Sequence, residues 1–283
     1  MTVYTEAPRT RTDHGRPGPL PETEVRRFDI DGFSVARGLV PTAEVDRIRD
    51  EFMGIAAKGT LPGYFEPQPT DPEHPDPLKT YPRIIMPHEF SQLSHDYLID
   101  ARITGIVAQL LGEEPICCQT MFYYKPPGAR GQWLHQDNFY LRVEPGTCIA
   151  AWMAVDQIDR ANGGLEVVPG THAMGIFCPE EADPDQSFTK EFVPPPPGLE
   201  AVPVDMDPGD VLFFNGSLVH GSQPNTTTDR FRRSFISHYA PLSTIRKHET
   251  YKAFRLDGTP VELPEAEGGG PCGTEFDDAP GYH

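Results

Sequence analysis

Apolar and polar positions follow a helical period in the N-terminal part of the chain. From Thr42, the predicted N-cap, apolar residues recur every three or four positions until Gly59, a spacing that predicts one helix. The same periodicity predicts a second helix over residues 94–111. The segment 28–41 has the turn residues and the short apolar run of a single strand. Residues 23–112 are therefore predicted to form a mainly helical part.

After Gly112 the pattern changes to short apolar segments separated by glycine, proline, asparagine and aspartate. Such short, regularly spaced strands predict an all-β barrel or sandwich over residues 113–245. The segments are ICCQTMFYY, WLHQDNFYL, TCIAAWMAV, GLEVVP, VPVDM, DVLFF and FRRSFISHYA. We expect a single domain over residues 23–260, mainly β with flanking helices.

Polar and proline-rich stretches flank or interrupt these elements. Residues 1–22 and 261–283 lack periodicity and are predicted to be a disordered N-terminal tail and a loose C-terminal tail. Residues 61–80 are predicted to form a long irregular loop, and residues 182–198, with four consecutive prolines, a surface insertion. Loops of this kind on a rigid scaffold often carry specificity.

The charge balance limits the partners. The chain has 42 acidic against 24 basic residues, a net charge of −18. Nucleic acids and anionic membranes are bound through clustered lysine and arginine, so neither is expected as a partner. With no apolar run of transmembrane length and no signal-peptide pattern, we expect a cytoplasmic protein. The five cysteines lack CxxC spacing and are expected to be free thiols.

Two ionisable residues lie inside one of the predicted strands. In WLHQDNFYL, His135 and Asp137 are two positions apart, so in an extended chain they share one face. A buried carboxylate beside a buried imidazole is costly unless both are paired, and a metal ion would pair them. His220, just beyond DVLFF, completes the order HxD…H. Two histidines and one carboxylate are the facial triad that binds Fe(II) and leaves one side of the metal open.

A cation follows on the next predicted strand. Arg232 and Ser234 are two positions apart and point the same way, so both can hold one carboxylate of an anionic cosubstrate. Arg233 is expected to face the opposite side. Of the other polar residues, His238 is expected to support the core. Lys125 could aid an anionic ligand, but beside two prolines it is expected to lie on the surface.

These motifs resemble the phytanoyl-CoA dioxygenase family of Fe(II)/2-oxoglutarate-dependent oxygenases, which also includes ectoine hydroxylase. The matching stretches are DGFSVARGLV, QTMFYYKPPG, WLHQD, AAWMAVDQIDRANGGLEVVPGTH, MDPGDVLFF, LVHGS and FRRSFISHY. The resemblance implies a double-stranded β-helix (a cupin-like jelly roll) with Fe(II) on the HxD…H residues. It also implies 2-oxoglutarate as cosubstrate with its far carboxylate on Arg232 and Ser234, O2 as oxidant, and ascorbate as a useful addition in vitro.

The resemblance extends to residues around the site. Gln119 and Trp152 match positions that bind the cosubstrate, although packing in the core is an equal alternative for Trp152. Aromatic residues are predicted to line the substrate pocket: Phe122, Tyr123, Phe139 and Tyr140.

The expected activity is hydroxylation of a C–H bond of a small natural product, with release of succinate and CO2. Desaturation, epoxidation and rearrangement use the same ligands and stay open. An acyl-CoA substrate is disfavoured because the chain has no compact basic patch beyond Arg232-Arg233 and Arg246-Lys247, and a halogenase because Asp137 is intact. The alternatives from other classes are a catalytically idle jelly-roll binding protein and a zinc hydrolase.

Overall fold

Helices pack on one face of an antiparallel β structure. A computed structural model describes residues 20–266 of the 283. The helices are α1 (Glu22–Asp31), α2 (Thr42–Lys58), α3 (Pro77–Thr80), α4 (Gln92–Leu98), α5 (Ala101–Leu111) and α6 (Asp137–Leu141), with short 3-10 turns at Pro87–Glu89 and Thr171–Met174. The strands are β1 (Phe33–Ala36), β2 (Ile84–Ile85), β3 (Pro115–Tyr123), β4 (Gln132–His135), β5 (Ile149–Ala154), β6 (Leu165–Val167), β7 (Glu180–Glu181), β8 (Glu191–Phe192), β9 (Val202–Pro203), β10 (Val211–Asn215), β11 (His220–Ser222), β12 (Ser234–Pro241), β13 (Ala253–Phe254) and β14 (Pro260–Val261).

Most strands belong to two antiparallel sheets. The larger sheet has the order β1-β10-β5-β12-β3-β13-β14, with β2 also paired to β3. The smaller sheet has the order β4-β11-β6-β9, and β7 pairs with β8. Between the two sheets lies an apolar layer that includes Trp152 and Phe214 of the larger sheet and Val167 of the smaller. The mainly β class with flanking helices is confirmed, and the two packed sheets are consistent with the expected jelly roll.

Alternate residues of the larger sheet face different cores. In β12, Phe235 and Tyr239 belong to the helix-side core, whereas Ile236 packs between the sheets. On the helix side, Phe52 of α2 stacks on Phe122 of β3, with ring centroids 3.9 Å apart. Phe122 is therefore on the opposite side of the sheet from the pocket predicted for it. The helices cover one face of the larger sheet and leave the other face to line a cavity.

Three local predictions differ from the structure. Helix α1 occupies the first part of the segment predicted as a strand, and only β1 is extended there. Helix α2 ends where predicted, but Thr42 is its first residue and Pro41 is at the N-cap, without a side-chain cap. The helix predicted over residues 94–111 is two helices, because the Asp100 side chain accepts a hydrogen bond from the Arg102 N–H and caps α5.

The predicted surface insertion is a cover over β4. Residues 182–198 contain β8, and the N–H of Val193, just beyond this strand, donates to the Leu134 carbonyl at 2.7 Å. Val193 is buried. Proline excludes a central strand but tolerates an edge strand, which is the position that β8 occupies beside β7.

The two ends of the described chain are packed rather than loose. Leu20 is buried. Ala266, inside the predicted C-terminal tail, is also buried and donates its N–H to the Lys247 carbonyl. The remaining parts of the two predicted tails, residues 1–19 and 267–283, lie outside the described residues.

The cysteines agree only in part with the free thiols that the sequence predicts. Cys117, Cys118 and Cys148 are free and buried, as expected. Cys178 is disulfide-bonded, so the prediction of a free thiol is wrong there, and Cys272 lies outside the described residues.

Over the described range, the helices are too short or too polar to cross a membrane.

We predict that Phe52→Ala lowers the free energy of unfolding by about 3–5 kcal/mol, because it removes a fully buried ring from its stack on Phe122. Urea denaturation followed by circular dichroism measures the change. Ile30→Ala, at a helical position that is 64% exposed, is the control and should change stability by less than about 0.5 kcal/mol. Equal effects of the two substitutions would contradict the packing described for α2.

Candidate metal centre

His135 and His220 face each other across two paired strands. Strands β4 and β11 are antiparallel, and the two histidines are opposite each other in register. Their ring centroids are 4.3 Å apart. A Cβ on Gly221 would lie 2.8 Å from the Gln132 carbonyl oxygen and from the Leu134 nitrogen. The glycine of the HGS motif is therefore required by the strand pairing that brings the histidines together.

Asp137 reaches the same group from the start of a helix rather than from a strand. The chain leaves β4 after His135 and α6 begins at Asp137, so the prediction of one strand through WLHQDNFYL is wrong. Gln136 is nevertheless extended, with φ −129° and ψ 125°, and the two flanking side chains still point the same way. The Gln136 amide donates to the Ser217 carbonyl at 2.6 Å and holds the chain at this turn.

The three side chains form a compact, buried group. Asp137 Oδ1 is 3.6 Å from His135 Nε2 and 3.4 Å from His220 Nε2. One ligand atom from each residue lies within 4.8 Å of the other two, and between residues 20 and 266 this is the one group of His, Cys, Asp or Glu side chains with such geometry. A single metal ion could contact all three atoms.

Each histidine turns its Nε2 toward the carboxylate. His135 Nδ1 is 2.7 Å from the Trp133 carbonyl oxygen, and His220 Nδ1 is 2.9 Å from the Leu218 carbonyl oxygen. A carbonyl oxygen only accepts hydrogen bonds, so Nδ1 carries the proton in both rings. Without a metal, a protonated Nε2 can donate to Asp137; when Nε2 gives up that proton, its lone pair faces the same point, which is the arrangement of a histidine metal ligand.

The surrounding histidines keep the carboxylate ionised. Burial alone would raise the pKa of Asp137, but the charge of His220 and hydrogen bonds from His135, His220 and His238 hold that pKa well below its usual range. Burial lowers the pKa of His135, which favours its neutral form. Burial opposes protonation of His220 as well, but Asp137 raises the pKa of that imidazole. Metal binding requires an ionised carboxylate and deprotonated imidazole nitrogens.

A further buried histidine contacts the carboxylate. His238 Nε2 is 3.0 Å from Asp137 Oδ2, whereas the two other histidines approach Oδ1. Because a carboxylate oxygen accepts, His238 donates through Nε2. His238 was expected only to support the core, and its contact with Asp137 was not predicted. The alternation of side chains along a strand could have predicted it. Arg232, Ser234 and His238 are spaced by even numbers of residues along one extended segment, so their side chains point to the same face.

A buried cation lies beside this group. Arg232 is 4% exposed and donates to the Ser234 hydroxyl at 3.1 Å and to the Gly163 carbonyl at 3.0 Å. Its guanidinium carbon is 5.5 Å from the centroid of the Trp152 ring. No carboxylate of the described residues forms an ion pair with Arg232, and burial lowers its pKa to about 10. Arg233 turns to the opposite side, as expected, and takes part in an ion pair there.

Lys125 is 3% exposed, so the prediction of a surface position is wrong. Its Nζ donates to the Ser222 hydroxyl at 2.8 Å and to the carbonyls of Gly163 and Gln223. Burial, together with the charge of Arg232, lowers the pKa of Lys125 well below its usual value. The Lys125 carbonyl accepts the Arg232 N–H at 3.0 Å, so the lysine segment fixes the backbone of the arginine. These partners are distant in sequence, and the residues around KPPG could not reveal them.

A cavity of about 40 Å³ joins the histidines to the arginine. Tyr123 and Trp152, two of the predicted pocket residues, line this cavity. Gln119 lies outside its lining and is fully buried opposite His238 in the register of β3 and β12. Ser234 is not among the residues that line the cavity, but its hydroxyl accepts a hydrogen bond from Arg232.

The other predicted substrate residues lie in a second cavity. Phe139 and Tyr140 of α6 line it together with His135, which also lines the first cavity. His135 therefore lines both spaces.

We predict that His238→Ala weakens Co(II) binding to the metal-free protein by about tenfold or more, because Asp137 loses the hydrogen bond that orients its carboxylate. Titration followed by the visible absorption of Co(II) measures the affinity and the ligand geometry together. His238→Gln retains an N–H donor and should recover part of the loss. His95→Ala, a histidine stacked on Phe254 away from the centre, is the control. Unchanged Co(II) affinity in His238→Ala would contradict the orienting role.

Comparison with known proteins agrees with the motifs. Residues 28–234 match the family model described as phytanoyl-CoA dioxygenase (PhyH). Over 251 residues the chain is 30% identical to a probable phytanoyl-CoA dioxygenase of Caenorhabditis elegans, covering 81% of this chain and 78% of that protein.

Two solved structures share the fold. EctD from S. alaskensis, solved with 2-oxoglutarate and 5-hydroxyectoine, superposes with a TM-score of 0.63 at 22% identity, over 93% of this chain and 86% of that one. The epimerase SnoN, in complex with Fe3+, alpha ketoglutarate and nogalamycin RO, superposes with a TM-score of 0.61 at 20% identity, over 87% of this chain and 94% of that one. The match of the family model to most of the chain, together with the relative at 30% identity, shows that this protein belongs to the phytanoyl-CoA dioxygenase (PhyH) family.

Proposed function

We propose that this protein is a non-haem Fe(II)- and 2-oxoglutarate-dependent dioxygenase that hydroxylates a C–H bond of a small natural product. The observation that carries the proposal is the buried His135–Asp137–His220 group in one cavity with the buried guanidinium of Arg232. One end of this cavity offers metal ligands, and the other offers a cation for an organic acid. A hydrolytic zinc site would use the same ligands and would leave Arg232 without a role.

His135 and His220, through Nε2, and Asp137, through Oδ1, would hold the iron. Three protein ligands leave the remaining positions to a cosubstrate and O2. When bound, Fe(II) supplies the oxidising chemistry that couples conversion of 2-oxoglutarate to succinate and CO2 with hydroxylation of the substrate. His238 donates to Asp137 Oδ2, which leaves Oδ1 directed at the other two histidines.

Arg232 and Ser234 would bind the far carboxylate of 2-oxoglutarate. A guanidinium presents parallel N–H donors that match both oxygens of a carboxylate. Arg232 is already removed from water by the fold, so an arriving carboxylate meets a preformed cation in a medium of low polarity. Lys125 holds the arginine backbone, and Trp152 forms a wall beside the guanidinium.

The second cavity is the proposed binding site for the substrate. Phe139 and Tyr140, which share this cavity with the candidate ligand His135, would contact a substrate whose reacting C–H bond points toward the metal site. Small organic molecules are named with both structural neighbours, 5-hydroxyectoine with EctD and nogalamycin RO with SnoN, which supports a small-molecule substrate. Two predictions from the sequence stay predictions. Gln119 lines neither cavity, so its role in binding the cosubstrate is one of them. The cytoplasmic location is the other.

Rearrangement or epimerisation is the second candidate, because the neighbour SnoN is an epimerase with the same fold. The residues that hold iron and 2-oxoglutarate would serve either outcome. The position of the substrate C–H bonds would decide between them. An acyl-CoA substrate is disfavoured, because the sequence has no compact basic patch for its phosphates beyond Arg232-Arg233 and Arg246-Lys247.

We predict that Arg232→Lys lowers the rate of succinate formation from 2-oxoglutarate by about tenfold or more at subsaturating 2-oxoglutarate, because a lysine cannot form the bidentate contact. The assay contains Fe(II), ascorbate and air. Arg230→Lys, at a partly exposed arginine paired with Asp159, is the matched control and should keep the wild-type rate. A similar KM for 2-oxoglutarate in wild type and Arg232→Lys would contradict the assignment.

We predict that Asp137→Ala abolishes succinate formation, since the iron would lose the carboxylate of its proposed ligand set. Under anaerobic conditions the same variant should lose the visible absorption that 2-oxoglutarate develops when it chelates Fe(II). Circular dichroism checks that the variant is folded. Wild-type absorption in a folded Asp137→Ala protein would place the metal elsewhere.

A further inference from the structure

The second cavity lies between the start of α6 and the segment that leads into β8. Its walls are largely aromatic and aliphatic, with Phe139, Phe177 and Val193 among them. The polar groups that reach it are His135, Gln136, Tyr140 and Glu191. The cavity measures about 10 Å³, room for one group the size of an ammonium, and because His135 is also a proposed metal ligand, a group held there would lie beside the candidate metal centre.

The far wall of the cavity is held in place by hydrogen bonds. Gln136 donates from its amide to the Gly175 carbonyl at 2.8 Å and accepts the Phe177 N–H at 2.7 Å. At the other end of the segment, the Val193 N–H donates to the Leu134 carbonyl at 2.7 Å. The side chains on this wall are therefore fixed relative to the metal ligands rather than carried on a free loop.

Glu191 is the unusual member of this wall. It is 4% exposed, whereas Glu181, opposite it in the β7–β8 pair, is exposed. Within residues 20–266, no lysine, arginine or histidine forms an ion pair with the Glu191 carboxylate. A buried carboxylate without a cation costs free energy, which a cationic partner would recover.

Tyr140 is the neighbour of this carboxylate within the cavity. Burial, and then the charge of Glu191, raise the pKa of Tyr140 well above its usual value. A phenol is a neutral hydrogen-bond donor, so it can hydrogen-bond to the carboxylate but cannot neutralise its charge. Arg83, whose charge also reaches Tyr140, donates to the Tyr123 hydroxyl at 3.0 Å on the side of the first cavity.

We propose that the second cavity binds a protonated amine of the substrate, with Glu191 as its counter-ion. The inference rests on the proposed oxygenase function and specifies its substrate class. Aromatic faces such as those of Phe139 and Phe177 also attract cations. The net charge of −18 favours the approach of a cation over that of an anion. Cosubstrate and substrate would then be held by opposite buried charges, Arg232 and Glu191, on the two sides of His135.

Binding of three matched probes tests the inference: 2-phenylethylamine (cationic), 2-phenylethanol (neutral) and phenylacetate (anionic). Ligand-observed NMR titration in an amine-free buffer gives each Kd for the protein with Mn(II) and 2-oxoglutarate. The wild type should bind the amine about tenfold or more tightly than the alcohol, and phenylacetate least of all. Glu191→Gln should bind the amine about tenfold or more weakly with little change for the alcohol, and Glu181→Gln should behave as the wild type.

Several results would overturn the inference. They are equal binding of amine and alcohol by the wild type, preference for phenylacetate, undetectable binding of the amine, or undiminished amine binding in Glu191→Gln. The comparison of probes on the wild type decides the matter even if Glu191→Gln fails to fold. A protein that forms succinate yet lacks the amine preference loses this inference alone. A protein that prefers the amine yet never consumes 2-oxoglutarate loses the oxygenase function instead.

Discussion

The buried carboxylate of Asp137 is the constraint on which the centre depends. Burial alone would favour its protonated form, and histidines from three strands, β4, β11 and β12, keep it ionised. His135 and His220 come from the smaller sheet and His238 from the larger, so the site exists only when the two sheets are packed together. The helix-side core, with Phe52 stacked on β3, holds the larger sheet in that position.

Three further charged side chains are buried, Lys125, Arg232 and Glu191, and they differ in the partners that the fold gives them. Lys125 has three oxygen acceptors and serves the structure. Arg232 and Glu191 are equally buried, and neither has an ion pair within the part of the chain that is described. A stable fold tolerates such charges where ligands neutralise them, which is the reason for assigning an organic acid to one and an amine to the other. His135 separates the two and belongs to both cavities.

Short-range sequence rules predicted the site correctly where the folded backbone keeps the assumed local conformation, and incorrectly where contacts between distant segments decide. The alternation argument paired His135 with Asp137, and it held because Gln136 is extended even though the strand ends there. The same argument applied along FRRSFISHYA would have found His238. Lys125 was misplaced because its acceptors come from two other segments of the chain.

Sequence alone determined the class of fold, the family and the candidate-ligand order HxD…H with its arginine, because these depend on local periodicity and on motifs of a few residues. Tertiary structure decided which charges are buried and what they face. The positions of Lys125 and Glu191 depend on packing between segments that are far apart in the chain. Desolvation is a property of that packing, and it converts an ordinary glutamate of a proline-rich insertion into a candidate counter-ion beside the metal centre.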